Sequence, residues 1–148
     1  MFDHFAVLAS RIVSAGVIDQ AGMLTLALQL MASANAQAGF LEQLIAAGAY
    51  TDCAIALHRL VLPHSGFELG RTHSGSAFAG SWHHGDAQIA STRAATPALA
   101  LLRATATEMA KSWRSEQRAR CPTCNGRGWY VTEKNRKEIC RHASRLRC

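Results

Sequence analysis

Residues 118–130, RARCPTCNGRGWY, constrain the fold of this chain more than any other stretch. Cys121 and Cys124 have the spacing at which a tight turn lets two thiolates point at one metal ion, while the amides that follow hydrogen-bond the sulfurs. Gly126 and Gly128 come next and supply the positive φ, or the close backbone approach, that such a turn needs. The sequence therefore predicts a zinc knuckle, a turn closed by Zn²⁺.

Structural zinc takes four ligands in a tetrahedron, so two more must come from elsewhere in the chain. Cys140 is the third candidate, because the fifteen residues after Cys124 can form a short hairpin or a strand-turn-helix that returns to the ion. Cys148 and His142 are both candidates for the fourth position, and neither has the usual C-x₂₋₄-C spacing. We place Cys148 ahead of His142 because a cysteine at the chain end is able to swing in.

Two other interpretations of the cysteines stand beside zinc, a redox pair and unligated thiols. Thioredoxin-like chemistry expects a βαβ setting and a helix that begins at the first cysteine, whereas here glycines and a basic segment follow. Cys53 lies inside an apolar helical pattern and is assigned to the core. His83 and His84 with Asp86 form a second cluster of metal-ligand types, although adjacent loop histidines are far more often exposed or packed than ligands.

The net charge of +6 is unevenly distributed along the chain. Residues 111–148 carry eleven Lys and Arg against three Glu, or +8, so residues 1–110 sum to −2. A mildly acidic body with a basic tail indicates nucleic-acid binding, a patch for an acidic protein or a solvated chain end. The cations assigned to nucleic-acid contacts are Arg118, Arg120, Arg127, Lys134, Arg136, Lys137, Arg141, Arg145 and Arg147.

Apolar periodicity predicts a mainly α fold, with a helical body over residues 1–115 and a basic zinc-binding tail over residues 116–148. Helices are predicted over residues 3–15, 19–37, 40–48 and 51–62. A last helix begins at residue 97; its apolar stripe ends at Trp113, and its polar end leads to Cys121. Asp19 is the predicted cap of the second helix, and Thr96 before Pro97 starts the last one. Between them, SAFAGSW and DAQIAST flank HHG, a pattern that fits either a small β-hairpin or a loop of low order.

Size and composition restrict the class of protein. A chain of 148 residues with 49% hydrophobic residues is globular, as one domain or a domain with a small appendage. The N-terminal MFDHF lacks a basic residue, and the longest apolar segment, residues 21–34, is shorter than the about 20 residues that span a bilayer. We therefore expect a cytoplasmic protein without a membrane segment. No nucleophile elbow or phosphate loop is found, so binding is favoured over catalysis.

The cysteine segment resembles that of phage antitermination protein Q of the zinc-containing type, in which a polar helix ends in a basic residue before C-x-x-C-x-G-x-G and an aromatic. KEIC, residues 137–140, is similar to the stretch that opens the second cysteine pair of that family, although this chain has Ala143 where the pair would close. The resemblance covers about 35 residues. The same motif also resembles one repeat of the DnaJ-type cysteine-rich domain, a family that uses four such repeats.

The resemblance to antitermination protein Q implies a phage late-gene regulator that binds DNA near a promoter, engages RNA polymerase and lets it pass terminators. It also implies that Cys121, Cys124 and Cys140 are zinc ligands and that Gly126 and Gly128 are the turn glycines. This hypothesis predicts salt-dependent DNA binding that is lost with the tail.

The competing hypothesis is a protein-interaction adaptor, whose knuckle docks an acidic partner and whose helical body forms a homo-oligomer. A thiol-dependent enzyme would need a cysteine of depressed pKa and metal-free activity.

Overall fold

A computed structural model of the chain describes residues 3–32, 34–83, 90–124, 127 and 129–140. The elements in chain order are α1 His4–Ser14, a 3-10 helix Val17–Asp19, α2 Gln20–Met31, α3 Ala38–Ala46, α4 Tyr50–Val61, β1 Ser65–Arg71, β2 Ala77–His83, β3 Ala90–Ala94, α5 Pro97–Ala119, β4 Trp129–Val131 and β5 Lys137–Ile139. The predicted mainly α fold with small β parts is thus found. The chain divides into two compact units, an N-terminal unit Met1–Ala110 and a C-terminal unit Lys111–Cys148.

The first helix forms where the apolar periodicity predicts it. The Asp3 carboxylate accepts a hydrogen bond from the Ala6 amide at 3.0 Å and so satisfies one of the unpaired donors at the helix start. Leu8 and Ile12, one turn apart, are both fully buried. The burial of this single face fixes α1 against the rest of the N-terminal unit.

The second helix is shorter than predicted, and Asp19 precedes it as predicted but without a capping hydrogen bond from its side chain. Residues 19–37 were expected to be helical, but α2 ends at Met31. Beyond it, the Asn35 side-chain oxygen accepts a hydrogen bond from the amide two residues on, at 2.9 Å, which is a local alternative to helical bonding. The Asp19 carboxylate accepts from the Gly16 amide at 2.8 Å, so it closes the 3-10 turn and makes no side-chain bond to α2.

His58 of α4 is buried, although its position beside Arg59 on a helix predicts a residue at the surface boundary. Its side chain is fully buried, and Nδ1 lies 2.9 Å from the Thr105 hydroxyl. That hydroxyl donates to the Leu101 carbonyl at 2.9 Å, so its only hydrogen is already used. We therefore assign the ring proton to His58 Nδ1, which then donates to the hydroxyl oxygen.

Three antiparallel strands in the order β1-β2-β3 follow the helices. β2 and β3 correspond to the two arms of the predicted hairpin, whereas β1 was not predicted. Two glycines in β1 make room for aromatic rings of β2: a Cβ at Gly66 would lie 2.6 Å from the Trp82 ring, and one at Gly70 would lie 2.5 Å from the Phe78 ring. The glycines are therefore required by cross-strand contacts rather than by turns.

The core of the N-terminal unit combines all five helices with one face of the sheet. Its largest fully buried apolar side chains are Leu8, Ile12, Leu24, Leu41, Leu57, Leu99, Leu101 and Leu102. Thr96 caps α5 as predicted, since its hydroxyl accepts from the Leu99 amide at 3.3 Å. Within the described ranges, no helix is long and apolar enough to cross a membrane.

Candidate metal centre

Three cysteine sulfurs converge in the C-terminal unit. Cys121 follows the end of α5, Cys124 lies in the next turn, and Cys140 comes directly after β5. Their Sγ atoms all lie within 4.8 Å of one another, and those of Cys121 and Cys140 are 3.5 Å apart. Sulfurs bound to one tetrahedral Zn²⁺ at about 2.3 Å would be about 3.8 Å apart. The three residues therefore fit a thiolate metal site.

The hairpin β4–β5 carries Cys140 back to the turn that holds the other two cysteines. Its strands pair in the register Trp129↔Ile139, Tyr130↔Glu138 and Val131↔Lys137. The turn is closed by two backbone hydrogen bonds, from the Thr132 amide to the Arg136 carbonyl and from the Asn135 amide to the Thr132 carbonyl, both 2.9 Å long. Asn135 adopts φ +55°, a left-handed conformation that asparagine tolerates better than most residues. Of the two predicted connections, the chain forms the hairpin.

The local geometry shifts the pKa values of Cys121 and Cys140 in opposite directions. A hydrogen bond from the Cys124 backbone lowers the pKa of Cys121 to about 6, and further bonds from the Thr123 backbone and the neighbouring thiols act in the same direction. Burial raises the pKa of Cys140 to about 11, together with its hydrogen bonds to the two other sulfurs. Metal binding requires thiolates, and the backbone already favours one at Cys121.

Burial distinguishes two of the three clustered cysteines from their surroundings. Cys124 and Cys140 are 4% and 6% exposed, and Cys121 is half-buried. Cys124 and Cys140 are the only buried side chains among the described residues from 111 onward. Cys53, by contrast, is 1% exposed inside the N-terminal unit, where burial raises its pKa to about 11 and its Sγ lies 3.6 Å from the Leu41 carbonyl oxygen. The prediction that Cys53 belongs to the core is confirmed.

Several predicted site residues lie outside the described part of the chain. The two candidates for the fourth ligand are among them, so the fourth ligand stays a prediction. The others comprise turn glycines, three basic residues and part of the histidine cluster. The full set is Cys148, His142, Gly126, Gly128, Arg141, Arg145, Arg147, His84 and Asp86, together with the side chains of Arg118 and His83.

The remaining cations assigned to nucleic-acid binding have exposed side chains, as such contacts require. They are Arg120, Arg127, Lys134, Arg136 and Lys137. One of them is held in place, because the Lys137 ammonium nitrogen lies 4.1 Å from the centre of the Trp129 ring in a cation–π contact. Exposure is compatible with phosphate contacts and equally with contacts to an acidic protein.

Two features of this unit were not predicted from the sequence. A groove of about 300 Å³ is lined by Thr123, Cys124, Arg127, Trp129, Tyr130 and Val131. Across the hairpin, the Tyr130 hydroxyl donates to the Glu138 carboxylate at 3.0 Å. Both features depend on which residues of β4 and β5 lie opposite each other. The only sign of this register in the sequence is that WYV and KEI flank a polar turn.

No protein-family model, curated protein or solved structure matches this chain. What the centre does must therefore be argued from the sulfurs, the hairpin and the cations themselves.

Proposed function

We propose that the C-terminal unit is a zinc-closed basic module that binds DNA as part of a transcription regulator of the antitermination type. One observation carries the proposal: three cysteine sulfurs within 4.8 Å of one another lie at the base of a hairpin whose side chains include exposed cations. The ion would be held by Cys121, Cys124 and Cys140, and bound Zn²⁺ supplies structural cross-linking rather than catalysis. In this role the protein binds its target and carries out no reaction.

The need for an ion follows from the lack of an apolar core among the described residues of this unit. Among its described residues only Cys124 and Cys140 are buried, while Val131 and Ile139 of the hairpin are 54% and 56% exposed. A two-stranded hairpin is at best marginally stable in water, and a unit of this size commonly needs a metal or disulfides. Zinc binding by such modules is itself the source of folding free energy.

The charge of the unit supports DNA as the target. Residues 111–148 sum to +8, whereas the N-terminal residues sum to −2. Arginine and lysine side chains contact phosphates without reading sequence, so they supply affinity and register on the duplex. The resemblance of the cysteine segment to antitermination protein Q adds RNA polymerase as the proposed protein partner.

The first test is zinc content and ligand identity. Protein purified without a metal-affinity tag should contain one zinc per chain by elemental analysis. The variants are Cys121→Ser, Cys140→Ser, His142→Ala and Cys148→Ser. We expect zinc to be lost in the first two, because each removes one of the converging thiolates, and weakened in only one of the last two. A native protein without zinc would refute the module and the function together.

The second test is DNA binding by the zinc-loaded chain. Fluorescence anisotropy of a labelled duplex between 50 and 200 mM salt should give an affinity that falls with salt, with a slope of about −0.9 for each phosphate contacted. Arg136→Gln should make that slope shallower by about 0.9, because it removes one cation of the hairpin turn. Arg11→Gln, an equal charge change on the exposed surface of α1, is the matched control and should leave the slope unchanged. Identical slopes in both variants would contradict a role for the hairpin.

A second candidate function, a protein-interaction adaptor, is favoured by the exposed apolar side chains Val131 and Ile139 beside the hairpin cations. Such a surface fits an acidic segment that carries an apolar residue. The adaptor predicts retention of an acidic partner together with DNA affinity no greater than nonspecific. Val131→Ser would then abolish partner binding, whereas DNA binding by a regulator would be little affected.

A further inference from the structure

The groove beside the knuckle is built from two segments of different chemistry. One wall is the turn that holds Thr123, Cys124 and Arg127, and the other is the strand β4. The Arg127 amide donates to the Cys124 carbonyl at 2.9 Å, which fixes the backbone from which the guanidinium extends. A volume of about 300 Å³ is at the lower limit of small-molecule sites and suits one nucleotide unit.

The Trp129 ring at the groove has a contact partner on one face before any ligand arrives. The Lys137 ammonium lies over that face, 4.1 Å from the ring centre, so a base would stack on the opposite face. Side chains already held in place lose less conformational entropy when they bind a ligand. Trp129 is half-buried, so part of its side chain is accessible.

We infer that this groove binds one nucleotide of single-stranded DNA, with its base against Trp129 and its phosphate at Arg127. The inference rests on the proposed function and specifies which form of DNA the module takes. Proteins that hold single strands combine aromatic surfaces for the bases with a basic groove for the backbone. A base inside a duplex is stacked on its neighbours and presents only its edge, so it cannot lie flat against Trp129 in the groove.

Charge complementarity distinguishes an anionic strand from other occupants. In residues 111–140 the chain has eight Lys and Arg against three Glu, or +5, and one of those carboxylates, that of Glu138, is engaged by Tyr130. An acidic peptide would satisfy the same cations, but it would have no need for a flat aromatic surface. The joint presence of Arg127 and Trp129 on the groove therefore favours a ligand with both a phosphate and a planar ring.

The test compares a labelled twelve-nucleotide oligothymidylate with a twelve-base-pair duplex on the zinc-loaded full chain, by fluorescence anisotropy at fixed salt. Trp129→Leu should weaken single-strand binding about tenfold, the typical loss of one base–aromatic stack, and leave duplex binding nearly unchanged. Trp129→Phe keeps a ring and should weaken it less than about threefold. Arg127→Gln should make the single-strand salt slope shallower by about 0.7, and Arg11→Gln should not.

Zinc content is measured on every variant, so a loss of fold is recognised. Zinc-loaded Trp129→Leu that binds the oligothymidylate as tightly as the native chain overturns the inference. If this variant loses its zinc, Arg127→Gln decides: weakening of the single strand beyond the duplex supports the groove, and equal weakening overturns it. If the native chain binds the duplex but not the single strand, the proposed function stands and the inference about the groove is refuted. If it binds neither, both are refuted. Loss of acidic-peptide binding in Trp129→Leu, with DNA binding intact, assigns the groove to a protein partner instead.

Discussion

The two units of this chain differ in what their described residues bury. In the N-terminal unit, leucines from every α-helix are fully buried, whereas in the described part of the C-terminal unit the only buried side chains are two cysteines. Burying one leucine contributes about 1.5–3 kcal/mol. A structural zinc ion in a small module supplies about 10–16 kcal/mol of apparent binding free energy at neutral pH. In the proposed zinc module, one ion would replace several leucines and would let the hairpin expose most of its side chains.

Removal of zinc should produce the largest difference between the units. With a chelator, we expect the hairpin from Trp129 to Ile139 to lose its fold. The N-terminal unit should stay folded, because no group of metal-ligand side chains converges among its described residues. Two-dimensional amide NMR spectra would show collapse of the hairpin signals and retention of the helical ones. Cys121→Ser should reproduce this pattern without a chelator. Dispersed hairpin signals in zinc-free protein would show that strand pairing alone stabilises the C-terminal unit.

A cavity in the N-terminal core should have the opposite effect. Leu101 is fully buried, so Leu101→Ala should lower the free energy of unfolding of that unit by about 2–5 kcal/mol. Zinc content should stay at the native value, because residue 101 is far in sequence from the cysteine segment. Urea unfolding followed by far-UV circular dichroism measures the loss. Leu101→Met, which nearly conserves volume, is the control and should cost less than about 1.5 kcal/mol.

The buried polar pair in the N-terminal unit should show a smaller effect. Thr105→Val removes the hydroxyl that accepts from His58 and leaves a buried donor without that partner, at a cost of about 1–3 kcal/mol. Thr107 is the matched control on the same helix, because its hydroxyl also donates to a carbonyl four residues back, at 2.8 Å. Thr107→Val should change stability by less than about 0.5 kcal/mol. If both variants lose the same free energy of unfolding, the hydrogen bond within the helix accounts for the loss and the bond to His58 does not.

The same contrast explains which parts of the fold were predictable from the sequence. The first and last α-helices have apolar residues at helical spacing, and the last also has a recognisable cap at Thr96, so both were located. β1 was missed because SGFELGR lacks a run of β-branched residues, and its two glycines are explained only by rings that come more than seven residues later. His58 was misplaced because its partner Thr105 is 47 residues away.

In the C-terminal unit the sequence predicted the cluster of three cysteines better than its surroundings. The spacing of Cys121 and Cys124 is a local signal, and Cys140 followed from the need for more ligands. The groove and the contact between Trp129 and Lys137 were not predicted, because both depend on a pairing register that short strands specify weakly.

The smallest expected effect concerns the cysteine that belongs to the core. Burial raises the pKa of Cys53 from its ordinary value near 9 to about 11, so the folded chain keeps this proton over a pH range in which the unfolded chain loses it. Stability from this group is thus complete below pH 9 and falls as the pH rises toward 11. Relative to Cys53→Ala, native protein should lose about 1 kcal/mol between pH 8 and pH 10 in urea unfolding. Since both proteins share every other titrating group, the difference isolates Cys53, and parallel pH curves would show that its thiol is not shielded from water.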